Sequence, residues 1–189
     1  MHRCRRPMHQ ALLSLVRCMA EPPQANRCGA IATCTSVLEL SALERTLLWS
    51  IRTWAAYHDA PQAIWRTLER AFTEEGIHPA LEPFGQLMCA LFDGLKRSPD
   101  IRCVRCLRMG KDENALLATF AAALEEPRHA IEHRLSALML PTAACTGASA
   151  AAAMMHAIAN SGLCMQKTNI DMRTATWPPS YQSMNVMTH

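Results

Sequence analysis

The stretch Pro83-Phe84-Gly85-Gln86-Leu87-Met88-Cys89-Ala90-Leu91-Phe92-Asp93-Gly94-Leu95-Lys96-Arg97 decides the fold class. Phe84, Leu87, Met88, Leu91, Phe92 and Leu95 recur at intervals of three and four, the period that lines one face of an α-helix. The spacing predicts a helix from Pro83 to Arg97, broken by Ser98-Pro99-Asp100.

Similar signals flank it. Upstream, Ser41 and Glu44 have the spacing of a capping box, and Leu43, Leu47, Ile51 and Trp54 then line one face of a helix running to about Tyr57. Pro61 suits an early position in the next helix, whose buried stripe is Ile64, Trp65, Leu68, Ala71 and Phe72, with Gly76 as its C-terminal cap. Downstream, a fourth helix begins at Asp112, a carboxylate suited to free N–H groups and, with Glu113, to the positive end of the helix dipole, and it points Leu116, Leu117, Phe120 and Leu124 inward. Pro127 starts a fifth, carrying Ile131, Leu135 and Leu138 and ended by Pro141. An Ala-rich sixth runs from about Ala144 to Asn160 and closes at Gly162. The expectation is an all-α fold: a single helical bundle of about five main helices over residues 36–164. Residues 1–35 read as a flexible lead with one short helix allowed from Met8 to Ala20, and residues 165–189 as a disordered tail.

Composition agrees. The chain has 189 residues, half of them apolar and only 5% aromatic, with no period-two clusters of β-branched residues. Nine cysteines at irregular spacings do not form the even framework of a secreted disulfide scaffold, so a cytoplasmic location is expected. The N-terminus imitates a signal peptide, but Arg17 cuts its apolar run short. No charge falls between Arg134 and Lys167, yet Pro141, Gly147, His156 and Asn160 interrupt that run, so it reads as a packing helix and not a membrane span.

Chemistry concentrates in one place. Cys103-Val104-Arg105-Cys106 offers two thiols that can bind zinc or form a redox disulfide. Cys145 is the candidate third ligand, expected to return near Cys106 as the chain doubles back. His129 and His133 are spaced on one helical face, but a helix of roughly 20 Å separates them from Cys106, so they read as a solvated face. Lys96, Arg97, Arg102, Arg105, Arg108 and Lys111 surround the two cysteines with positive charge, a field that attracts phosphate or an acidic protein surface. No aromatic residue is interleaved to stack nucleic-acid bases, and the net charge is only +3. Cys89, within the third helix, is expected to be the more shielded thiol. The chain carries no Gly-rich phosphate loop, G-x-S-x-G elbow or H-E-x-x-H pair, so the reading leans away from an enzyme.

Cys103-Val104-Arg105-Cys106-Leu107, followed by Gly110-Lys111-Asp112-Glu113 and Leu116-Leu117, resembles a family of small helical bacterial proteins classed as a domain of unknown function. The resemblance spans about Phe84 to Leu163, less than half of the chain, and implies a bacterial helical protein without supplying an activity. The expected function is non-enzymatic binding through the basic C-x-x-C loop, with no cofactor. The alternative is a thiol-redox or zinc-dependent regulator using Cys103 and Cys106.

Overall fold

A computed structural model describes residues 36–58 and 61–165, in which six α-helices form a bundle without a sheet. They are α1 (Ala42–Tyr57), α2 (Pro61–Glu74), α3 (Leu81–Asp93), α4 (Lys111–Ala122), α5 (Arg128–Leu135) and α6 (Pro141–Asn160), with short 3-10 turns at Val37–Glu39 and His78–Ala80. The expectations for the lead, and for the tail beyond residue 165, lie outside the described residues. Met165, expected to open the tail, still packs against the core.

α1 begins as its sequence requires. The Ser41 backbone N–H donates to Glu44 Oε2 at 2.8 Å and the Glu44 N–H to Ser41 Oγ at 3.2 Å, closing the capping box. The helix is buried nearly all round, including Thr46, Ser50, Arg52 and Thr53 as well as its leucines and tryptophans. α2 ends at the Gly76 turn, where φ is +77°, a conformation that costs glycine little. Trp54 meets Trp65 and Phe84 edge to face, and Phe72 tilts against Phe84, so one aromatic cluster joins α1, α2 and α3.

α3 and α6 pack against each other more extensively than any other pair. Small residues make this approach close: a Cβ at Gly94, just past α3, would overlap the Cβ of Ala143, and one at Gly147 would lie 3.5 Å from Leu87 of α3. Leu87, Met88, Leu91, Met154, Met155 and Ile158 fill the core between and around them.

Several helix boundaries differ from the sequence reading. α3 starts two residues earlier and stops at Asp93, because the chain beyond Gly94 pairs with the segment before α6. The Lys96 N–H donates to Leu138 O and the Leu140 N–H to Gly94 O, so backbone groups needed for continued helix are used elsewhere. α5 ends at Leu135, and Pro141 opens α6 instead of ending α5; a missing N–H is harmless in a first turn. α4 begins at Lys111 with Gly110 as its N-cap, and Asp112 does not cap it. Leu124 is 38% exposed rather than inward, since α4 has ended at Ala122 before it. Among the described residues, no helix is long and apolar enough to cross a membrane.

Candidate functional site

Residues 95–110 link α3 to α4 without a helix of their own, and polar side chains hold them in place. At the base, Asp100 and Gly110 come so close that a Cβ on Gly110 would overlap the Asp100 carbonyl oxygen. Asp100 to Gly110 is therefore a compact loop with joined ends, an arrangement that often carries function.

Its centre is a buried ion pair. Arg52, from the middle of α1, donates from Nε to Glu113 Oε1 at 2.7 Å and from Nη2 to Oε2 at 2.9 Å. The two side chains are 1% and 0% exposed. Glu113 also accepts the backbone N–H groups of Arg102 at 2.8 Å and Gly110 at 2.7 Å. The remaining Arg52 donors reach the carbonyls of Cys106 at 2.6 Å and Arg108 at 3.0 Å. One guanidinium and one carboxylate thus fix four backbone groups of the loop, and each satisfies the other's charge.

A second pair pins the outer edge. Asp112 accepts both Arg97 nitrogens, at 2.6 and 2.7 Å, and the Asp100 N–H at 2.7 Å. The hydrogen-bonded Arg97 guanidinium holds the Asp112 carboxyl below its usual range, against the opposing effect of burial and with help from the Asp100 N–H. The same bond raises Arg97. Asp100 in turn accepts the Lys111 N–H at 3.0 Å and pairs with Arg102 Nε at 3.2 Å.

The six basic residues of the sequence pattern therefore separate into groups. Arg97 and Arg102 are tied to Asp112 and Asp100. Lys96 bends its Nζ to the Ser136 carbonyl at 2.7 Å. Lys111 is exposed at the start of α4, close enough to stabilise the Asp112 carboxylate. Arg105 and Arg108 are exposed, and among the described residues no carboxylate pairs with their side chains.

Cys103 and Cys106 are half-buried free thiols on a four-residue turn, closed by the Cys106 N–H donating to the Cys103 carbonyl at 3.0 Å. Cys145 does not join them. It is exposed, with Arg128 Nη2 at 2.9 Å from its Sγ at the start of α5, and no three His, Cys, Asp or Glu side chains gather as a metal site among the described residues. The chain does double back, but α6 begins three residues early and turns Cys145 toward α5. His129 and His133 are exposed, on the solvated face expected for them. Cys89 is exposed instead of shielded, although partial burial of its thiol, with Asp93 and Glu82 nearby, pushes its pKa up.

The sequence reading missed Arg52 entirely and gave Glu113 only a role at a helix end. The available signal was an arginine set between Ile51 and Trp54 and three residues after Trp49, with bulky apolar neighbours on its helix. Comparisons with protein-family models, with curated proteins and with solved structures give no match.

Proposed function

We propose that the chain is a non-enzymatic binding protein that presents the 100–110 loop, as a preformed basic surface, to an acidic partner. The observation that carries this reading is the contrast between the base of the loop and its crest. Arg52 and Glu113 fix the backbone below, while Arg105 and Arg108 stand exposed with no ion-pair partner among the described residues. A loop already ordered loses little conformational entropy on binding, and unpaired surface arginines steer and orient a carboxylate-bearing partner. Five free cysteines among the described residues suit a reducing, cytoplasmic setting. Kinship with small helical bacterial proteins belongs to the same proposal, supported by the Cys103–Leu107 and Gly110–Glu113 motifs, which together build this loop.

Fluorescence anisotropy with a labelled oligo-glutamate peptide tests the proposal. The Arg105→Ala/Arg108→Ala variant should bind about fivefold to thirtyfold more weakly, from two exposed charge contacts worth about 0.5–1 kcal/mol each. Affinity should fall as salt rises. Unchanged affinity in the double variant contradicts the reading.

The Cys103–Cys106 turn favours a second reading, a thiol-redox regulator. A closed turn keeps its end Cα atoms within about 7 Å, inside the range that a disulfide spans. A zinc-dependent version does not fit the described donors, which supply two thiols where four ligands are required; the others would have to come from outside the described residues. Oxidised glutathione should convert the pair to a disulfide, read as loss of both free thiols by mass spectrometry. Two thiols still free at equilibrium contradict this second reading.

A further inference from the structure

Two exposed leucines lie on the paired segments that carry or adjoin Arg105 and Arg108, which have no ion-pair partner among the described residues. Leu38 is 54% exposed and Leu107 57% exposed. The Val37 N–H donates to the Leu107 carbonyl at 2.9 Å, and Ser36 forms an antiparallel bridge with Arg108. Leu38 therefore follows directly on the residue that faces Leu107 across an antiparallel pairing, where neighbouring chains lie about 5 Å apart. Arg105 and Arg108 flank Leu107 in sequence, and both are exposed.

We infer that this surface takes an acidic peptide segment carrying a bulky aliphatic or aromatic side chain, which rests on Leu38 and Leu107 while its carboxylates meet Arg105 and Arg108. The inference builds on the basic-loop reading for its charges and adds the apolar anchor. Glu39, exposed next to Leu38, repels carboxylates at that end. The peptide's acids therefore fall on the Arg105 and Arg108 side, and its apolar residue lies toward Leu38.

Charge selects this occupant over others. The chain's own residues 1–35 hold five arginines (Arg3, Arg5, Arg6, Arg17, Arg27) against one acid, Glu21. Residues 166–189 hold Lys167 and Arg173 against Asp171. Neither segment supplies the acids the crest requires. A second copy of the chain, docked through the same patch about a two-fold axis, would set arginine against arginine. A nucleic-acid strand would satisfy the arginines but find two leucines where base stacking needs an aromatic ring.

The test is a selection of random 12-residue peptides displayed on phage against the immobilised full chain, with the enriched peptides then synthesised and labelled. Enriched sequences should be net acidic and carry Leu, Ile, Met, Phe or Trp beside the acids. Leu38→Ser/Leu107→Ser should weaken the best peptide at least tenfold while leaving the melting temperature unchanged, because both side chains are exposed. Arg105→Ala/Arg108→Ala should weaken it as well and flatten its salt dependence. Acidic peptides without an apolar residue, bound equally by the leucine variant, overturn the apolar anchor and leave the charge reading standing. Neutral or basic peptides, or no enrichment, overturn both. Tighter binding of a labelled oligothymidylate than of any peptide, or a dimer that dissociates in the leucine variant, overturns the assignment to an acidic peptide.

Discussion

Replacing Arg52 with methionine keeps an unbranched stem in the α1 core and removes the guanidinium. Four hydrogen bonds go with it, two to Glu113 and one each to the carbonyls of Cys106 and Arg108. Glu113 stays fully buried with the Arg102 and Gly110 N–H groups as its remaining partners, and without a counter-charge. Breaking a buried pair by removing one member costs about 3–5 kcal/mol, most of it the uncompensated charge. The two carbonyls add less, since both lie at partly buried positions that water can reach. Against a total stability of about 5–15 kcal/mol for a domain, the loss is large. At about 3–4 °C per kcal/mol it lowers the melting temperature by about 10–20 °C.

Circular dichroism melts and urea titrations of the two proteins measure the loss. The double variant Arg52→Met/Glu113→Gln should recover at least about 1 kcal/mol of it, because the buried charge is gone and a side-chain carbonyl remains for the backbone donors. A loss below about 1 kcal/mol in Arg52→Met, or a double variant less stable than the single one, would refute the role of the pair.

Gly94→Ala should destabilise by about 1–3 kcal/mol through its overlap with Ala143, and Ala143→Gly in the same chain should restore part of it by thermal melts; no rescue would place the strain elsewhere. Asp112, whose carboxyl is held low by Arg97, contributes stability that is present above the ordinary carboxylate pKa and lost as pH falls through its depressed value. Arg97→Ala should therefore move the Asp112 titration upward by NMR, and an unmoved titration would contradict the pairing. Cys89, raised by burial first and by Asp93 and Glu82 after it, should alkylate faster at pH 8 in Asp93→Asn, with rates from peptide mass spectrometry; an unchanged rate would remove the carboxylate as a cause.

Local features of the fold were legible in the sequence because they depend on neighbours in the chain. The Ser41–Glu44 box, the Gly76 and Gly162 turns with positive φ, and the stripes of α1, α2 and α3 all follow from spacing of four residues or fewer. The gathering of basic residues and two closely spaced thiols between Lys96 and Lys111 was also legible, since it lies in one stretch of the chain. What holds the loop was not. Arg52 and Glu113 are 61 residues apart, and nothing local links an arginine in one helix to a glutamate opening another. The pairing of residues 94–96 with 138–140, which shortens α3 and releases Pro141 to begin α6, is likewise a tertiary choice. The division of the basic residues into neutralised and free ones depends on where Asp100 and Asp112 point, which spacing does not reveal.

The most direct measurement is an NMR titration of the ¹⁵N-labelled chain with a short peptide of alternating Glu and Leu at physiological salt. Binding should shift the amides of Leu38, Arg105, Leu107 and Arg108, leave α5 and α6 unmoved, and fade as salt is raised. An absence of shifts, or shifts centred on the shallow groove of Gly94, Leu140 and Thr146, would contradict a docking role for the loop.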